Sequence, residues 1–296
     1  MQKQLNENVL ISDKVGKGIS FGTFGELLQG VQAENDLDFI VTLPINRYSQ
    51  AEFSPDGTGE LKVIPTFKQK SALLAIRLLN HFTLPIGGTL SIESDLPAGK
   101  GLASSSADLV ATSRSIASAY NLEVPVELLQ KFIGEIEPTD GVMHSGVVSF
   151  YHRQVKLGEV FGSIPPLTIL AIDEGGEVDT VEFNKVSKSY TLKEKLEYTQ
   201  LNNQLRQAFL ENDVYSIGKV ATRSAIMNQS WQEKRSLDYF LRLSTKYDAL
   251  GVVVAHSGTF IGLLLWQEDE SYNQKFSEIR NELQEEYEQT HTYHTL

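Results

Sequence analysis

The sequence predicts an α+β protein built as two domains, and three observations lead there. The chain has 296 residues, and at roughly 150 residues per domain that is enough for about two. Short β-branched and aromatic runs are interleaved with segments of helical periodicity along the whole chain, which is a mixed pattern. Pro165-Pro166 punctuates the sequence just past its middle. The division is expected within residues 153–166, giving domains 1–158 and 159–296.

In the first half, residues 38–41 and 47–53 are rich in β-branched and aromatic side chains and stop at the turn Ser54-Pro55-Asp56-Gly57, so they predict strands. Residues 61–64 predict a strand that Pro65 ends. Residues 71–82 carry Ala72, Leu73, Ala75, Ile76, Leu79 and Phe82 at helical spacing. Gly87-Gly88 opens a strand at 89–93. A loop at 97–101 precedes a buried helix at 103–120, rich in Ala and Ser. Pro125 suits the first turn of a helix at 126–137, and Pro138 stops it. Residues 147–152 return to strand. In the second half, 167–172 is a mostly apolar strand and Gly175-Gly176 begins a polar loop. Helices are expected at 191–211, 215–228 and 237–247. Residues 251–255 and 261–266 read as buried strands, and 268–287 as an acidic surface helix. His291 and His294 fall in a tail expected to fray, with no metal-site spacing.

Hydrophobic residues make up 41% and charged residues 22%, which excludes a collagen, a coiled-coil rod and a disordered chain. Lys and Arg number 26 against 38 Asp and Glu, a formal charge of −12. A phosphate backbone needs a basic field, so nucleic acid is not an expected partner. A small nucleotide site stays open, because backbone N–H groups and a metal suffice for it. The absence of cysteine removes thiol catalysis, disulfides and Cys-ligated zinc. The longest apolar runs, 250–255 and 261–266, fall far short of the roughly 20 residues of a spanning helix. Residues 1–8 are polar and lack the apolar core of a signal peptide. The expected setting is the cytoplasm, with no membrane partner.

The segment richest in chemistry is Pro97-Ala98-Gly99-Lys100-Gly101-Leu102-Ala103-Ser104-Ser105-Ser106-Ala107. A strand leads in and a small-residue helix leads out. Glycines let a backbone approach a ligand closely. The first N–H groups of the helix have no internal partner, and their partial positive charge suits a phosphate. Three consecutive hydroxyls add hydrogen-bonding groups or a metal ligand. The loop is neither G-x-x-x-x-G-K-[ST] nor G-x-G-x-x-G. On residue chemistry alone it reads more readily as a serine-capped turn before a core helix.

The run P-x-x-x-G-L-A-S-S-S-A resembles the nucleotide-phosphate motif of the GHMP kinases. Two further segments follow that family's order. Gly25-Glu26-Leu27-Leu28-Gln29-Gly30 resembles its first motif, and Ala255-His256-Ser257-Gly258-Thr259-Phe260-Ile261-Gly262 its third. The resemblance implies an N-terminal domain like domain 2 of ribosomal protein S5 and a C-terminal ferredoxin-like α/β sandwich. The active site would be a cleft between them, where ATP and Mg²⁺ serve phosphoryl transfer to a hydroxyl of a small molecule. Glu137-Pro138-Thr139-Asp140 and the run from Thr222 to Gln229 are similar to members acting on L-threonine in cobalamin biosynthesis. Another small hydroxylated amino acid or alcohol in a secondary-metabolite pathway stays open as acceptor. So does a ligand-binding regulator that kept the fold and lost catalysis. Monomer and homodimer are both compatible.

By the same resemblance Pro97, Gly99, Lys100, Gly101, Leu102, Ala103, Ser104, Ser105 and Ser106 hold the nucleotide. Ser105 matches the family serine that touches Mg²⁺, and Glu137 is the candidate second ligand, with Glu135 as its rival; hard Mg²⁺ prefers such oxygens. Ser104 and Ser106 either bond phosphate oxygens or cap the helix. Lys100 reaches a phosphate or points to solvent. Asp140 matches the family's catalytic aspartate. Glu26, Thr139, His256, Gly258 and Thr259 are expected on the substrate side, with Glu26 pairing with an α-ammonium or lying at a strand edge. Arg223 could fork onto a substrate carboxylate or form a surface salt bridge, and Asn228 lies on the same helix. His144 contacts substrate or serves structure. Many family members carry a lysine just before the first motif. Here Ser20-Phe21-Gly22-Thr23-Phe24 precedes Gly25 and Lys17 lies too early, so proton removal falls on Asp140 alone or on electrostatic stabilisation without a base.

Overall fold

A computed structural model describes residues 14–176 and 189–296. The polar segment 1–8 and the loop expected beyond Gly176 lie outside the described residues. Two long strands, β1 (Gly16–Val31) and β2 (Asp38–Pro55), pair antiparallel along nearly their whole length. They anchor one sheet in the order β10-β7-β9-β8-β1-β2-β4-β3, which also contains β3 (Leu61–Ile64), β4 (Gly88–Ser94), β7 (Leu167–Asp173), β8 (Gly251–Val254), β9 (Phe260–Trp266) and β10 (His291–His294). Strand β5 (Val147–Tyr151) pairs with β2 and with β6 (Lys156–Gly162). Among the described strands only β3 and β4 run parallel. Strands β1 and β8, from the two halves of the chain, pair at Glu26 opposite Val254. Register shifts in β1 flank that point. Such irregularities bend a strand and re-aim its side chains.

Helices α1 (Gln69–His81), α2 (Ser104–Tyr120) and α3 (Val126–Gly134) accompany the first half. Helices α4 (Leu192–Glu211), α5 (Val214–Asn228), α6 (Leu237–Lys246) and α7 (Tyr272–Glu286) accompany the second. Helix α2 is buried on most of its surface, which its small side chains permit. It lies so close to β1 that a Cβ on Gly18 would stand 2.1 Å from the carbonyl oxygen of Ala111. One apolar core holds residues from both halves of the chain, among them Phe24, Leu27, Val41, Leu167, Leu205 and Val253.

The strand and helix pattern follows the sequence reading with four differences. The two strands expected at 38–41 and 47–53 are one, because Thr42-Leu43-Pro44-Ile45 stays extended and its Pro44 lies in the β1–β2 register. Strands β1 and β6 were not indicated by the patterning. Helix α3 ends at Gly134 rather than 137, since the residue before a proline is pushed away from helical backbone and Glu137 precedes Pro138. The tail at 291–294 does not fray: it pairs antiparallel with β7. Tyr293 is buried there beside Phe24 and Phe260, with ring centroids 5.3 and 5.8 Å away.

Candidate active site

Strand β4 ends at Ser94, and the chain runs through Gly99 and Gly101, both at positive φ, into the first turn of α2. Ala103 occupies the N-cap in left-handed backbone and offers no side-chain cap. None of the three serines caps the helix either. Ser104 Oγ donates to the Leu96 carbonyl (2.9 Å). Ser106 Oγ accepts from Thr139 Oγ1 (2.7 Å) and from the Asp140 backbone N–H (3.0 Å), and reaches Asp140 Oδ2 (3.1 Å). Ser105 Oγ bonds the carboxylate of Glu137. The first-turn N–H groups are thus left to whatever enters the cleft in front of them.

That cleft encloses about 420 Å³. Pro97, Gly99, Gly101, Leu102, Ala103 and the three serines form one wall. Glu137, Thr139 and Asp140 stand beside them, and Glu26 and Gln29 of β1 close the floor. Glu137 and Thr139 arrive because α3 stops early: the backbone N–H of Glu137 folds back to the Ile133 carbonyl (2.9 Å) and that of Thr139 bonds the His152 carbonyl (3.1 Å).

Three glycine-bearing loops far apart in sequence interlock here. The Gly25 N–H donates to the Gly101 carbonyl (3.0 Å), and the Thr259 N–H donates to the Lys100 carbonyl (3.2 Å). Gly101 has φ +81°, and a Cβ on it would lie 2.6 Å from the Ala255 Cβ and 3.0 Å from the Gly258 Cα. A Cβ on Gly258 would stand 2.1 Å from the Lys100 carbonyl oxygen. Both contacts require glycine. Lys234, almost wholly buried, donates its ammonium to the Gly258 carbonyl. Burial pushes that ammonium down to about 8, against the pull of Glu174, Glu26 and Asp173.

Charge in the cleft is organised in pairs. Lys70 bonds Glu137, and Lys68 bonds Asp108 (2.5 Å), which also accepts from Ser49 Oγ (2.6 Å). Asp140 is half-buried and, among the described residues, pairs with no cation. Burial first, then the negative charges of Glu26 and Glu137, push its carboxyl up to about 7, against the bond from Ser106. A carboxylate poised near neutral pH is suited to accept a proton from a hydroxyl.

Other expected residues fall elsewhere. Lys100 spans Asp173 (2.7 Å) and the Gly176 carbonyl (2.6 Å), neither free in solvent nor aimed at the cleft. His256, Gly258 and Thr259 stand behind the cleft wall, with His256 on Glu26. Glu135 pairs with Arg77 (2.6 Å) on the far side of α3. Arg223 pairs with Glu197 (2.6 Å) on the surface, Asn228 is buried, and His144 bonds Gln130 (3.2 Å). Lys17 lies on the surface against Glu52. The lysines that do reach the cleft, Lys68 and Lys70, were missed. Their signal was available: two cations at the start of a helix oppose its dipole, and no acidic residue occupies that first turn.

Among the described residues no cluster of three or more His, Cys, Asp and Glu side chains could hold a metal alone. Mg²⁺ asks for less, one or two protein oxygens with phosphate and water making up the rest. The adjoining oxygens of Ser105 and Glu137 fit that requirement.

Residues 69–152, which hold α1, the loop, α2 and the Glu137–Asp140 run, match the GHMP kinases N terminal domain. The fold is that of mevalonate kinase from L. major in complex with R-mevalonate, with TM-score 0.70, 17% identity, and 97% and 98% of the two chains covered. It is equally that of homoserine kinase from Cytophaga hutchinsonii, with TM-score 0.69, 16% identity, and 95% of each chain covered. The α+β architecture is therefore the one these kinases share, and the matched segment supports a phosphotransferase with a hydroxyl acceptor. Two similar proteins of known activity narrow the comparison. L-threonine kinase of Citrobacter freundii is 26% identical over 246 residues, covering 81% of this chain and 83% of that protein. L-threonine kinase of Salmonella typhimurium is 26% identical over 250 residues, covering 81% and 80%. No helix among the described residues is long and apolar enough to cross a membrane.

Proposed function

We propose that the chain transfers the γ-phosphoryl group of ATP to the hydroxyl of L-threonine, giving O-phospho-L-threonine. The observation that carries this reading is the convergence on one cleft of an uncapped helix N-terminus, the Ser105–Glu137 pair and Asp140, which has no cationic partner among the described residues. The two L-threonine kinases support the acceptor.

The N–H groups opening α2 bind phosphate oxygens, and Lys68 and Lys70 add positive charge across the cleft. Ser105 and Glu137 would hold Mg²⁺, which supplies charge neutralisation on the phosphates. Asp140 orients the acceptor hydroxyl and takes its proton as the new O–P bond forms. The bond that Ser106 Oγ donates holds that carboxyl in place, and Ser106 Oγ itself accepts from the Asp140 backbone N–H and the Thr139 hydroxyl. Glu26 faces the acceptor. Residues 1–158 carry the phosphate machinery and 159–296 supply the loop that closes behind it. The setting we propose is cytoplasmic, within cobalamin biosynthesis.

ATP turnover measured with L-threonine, L-serine, L-homoserine and simple alcohols tests the reading. Selective turnover of L-threonine is expected. Turnover with another alcohol alone would keep the kinase and replace the acceptor.

A further inference from the structure

Behind the cleft floor lies a buried chain of hydrogen bonds that the phosphoryl chemistry does not use. Glu26 is 6% exposed. One of its oxygens, Oε2, accepts two bonds from His256: from the backbone N–H (3.1 Å) and from the ring at Nδ1 (2.9 Å). The other face of that ring meets Ser224 Oγ at 2.8 Å from Nε2. Ser224 Oγ in turn accepts the backbone N–H of Gln29 (3.1 Å). The carboxylate oxygen at Nδ1 accepts, which places a proton on that nitrogen, and Ser224 Oγ has its own hydrogen available for Nε2. His256 and Ser224 are both fully buried. The Nδ1 bond and the backbone bond therefore fix one carboxylate oxygen, the Ser224 bond holds the ring, and Glu26 lines the cleft.

What faces that carboxylate decides its use. Lys68 and Lys70 are taken up by Asp108 and Glu137. Lys234 lies behind the loop, on the Gly258 carbonyl. The acceptor end thus presents the carboxyl groups of Glu26 and Asp140, with no ion pair to a lysine or arginine at either among the described residues. Gln29, 9% exposed, lines the same cleft. Its side-chain Oε1 is buried with no hydrogen-bond partner among the described residues. A buried acceptor without a donor is costly unless a ligand supplies one. Two acceptor oxygens and a surplus of negative charge call for a group that is cationic and rich in N–H donors.

We infer that His256 and Ser224 are positioning residues that hold Glu26 open to the cleft as the receptor, with Gln29, for the ammonium group of an amino-alcohol acceptor. This rests on the proposed kinase reading and specifies its substrate class: a hydroxyl borne by a primary amine, not a neutral alcohol or sugar.

Calorimetry on the full chain, with a non-hydrolysable ATP analogue present, tests the inference with two ligands. L-threonine and (R)-3-hydroxybutyrate differ only in the ammonium. Wild type should bind L-threonine more tightly by at least about tenfold, a difference of about 1.4 kcal/mol. His256→Ala and Ser224→Ala should erase most of that preference, weakening threonine and leaving (R)-3-hydroxybutyrate and the nucleotide unchanged. His256→Asn, whose amide can stand in for Nδ1–H, should restore much of it. Equal weakening of both ligands, or an unchanged preference in both alanine variants, would overturn the assignment. Should His256→Ala fail to fold, Ser224→Ala keeps the imidazole in place and carries the test. If wild type binds neither ligand, the threonine reading fails by itself. Turnover with ethanolamine against ethylene glycol, and L-serine against glycerate, then decides the inference, and preference for the neutral partners overturns it.

Discussion

In the proposed reaction Asp140 takes the acceptor's proton, and its environment fixes how that role depends on pH. Burial and the neighbouring Glu26 and Glu137 carboxylates raise its carboxyl to about 7, while Ser106 pulls the other way and the lysines across the cleft are paired elsewhere. The base form is the charged one, so kcat/KM should rise with pH through about 7 and level above it. Asp140→Asn should remove that limb, keep ATP affinity and lower kcat by roughly 10²–10⁴-fold, the usual contribution of a general base. A loss under about tenfold would make Asp140 an orienting group. Stability runs the opposite way. Between the ordinary aspartate value and about 7 the folded chain binds more protons than the unfolded one, so stability falls as pH rises through that window. Asp140→Asn is therefore expected to raise Tm at pH 8 and to change it little at pH 4. The metal assignment has its own check at this scale. Ser105→Ala with Glu137→Gln should raise the Mg²⁺ concentration needed for half-maximal turnover, and an unchanged titration would move the ligands elsewhere.

At the scale of elements, the loop before α2 is shaped by its partners as much as by any ligand. Gly101 touches Ala255 and Gly258 where a side chain has no room. Gly101→Val should therefore both weaken ATP binding, read by calorimetry, and lower stability by about 1–3 kcal/mol, the typical cost of overpacking. The loop's composition was legible in the sequence, and so was α2, because small residues with hydroxyls mark a close-packed helix. The destinations of the hydroxyls were not. Ser104 and Ser106 turn to Leu96 and Asp140, contacts set by which strand end and which turn lie opposite. Patterning alone did not show strand β1, where only the resemblance pointed to a strand around Gly25-Glu26, because Gly16, Gly18, Gly22, Gly25 and Gly30 dilute its alternation; several of its glycines sit where other elements pack closely on it. Lys100 was ambiguous between phosphate and solvent, and neither holds, because its partner Asp173 comes from a strand far away in sequence. Local pattern specifies elements; it does not specify the far side of a contact.

Across the whole molecule, the aromatic group Phe24, Phe260 and Tyr293 joins the first strand to the last. Thr295 bridges to Ile45 beside it. Tyr293→Ala should thus cost roughly 3–5 kcal/mol, as deleting a buried aromatic ring does, with the loss seen in a single cooperative denaturation transition rather than in the second half alone. A separate early transition for residues beyond 159 would count against the shared core.

The interlock of Gly25, Gly101 and Gly258 also sets an order of events during synthesis. A chain emerging from the ribosome exposes the phosphate loop long before the Gly258 loop that packs on it exists, and β1 waits for Val254 as its neighbour. Contacts between such distant segments form late, since the intervening chain must first be ordered. A partly made chain therefore carries the helix that attracts phosphate without the wall that shapes the cleft around it. The cleft is complete only once the loop at 255–259 has been made and has packed on Gly101.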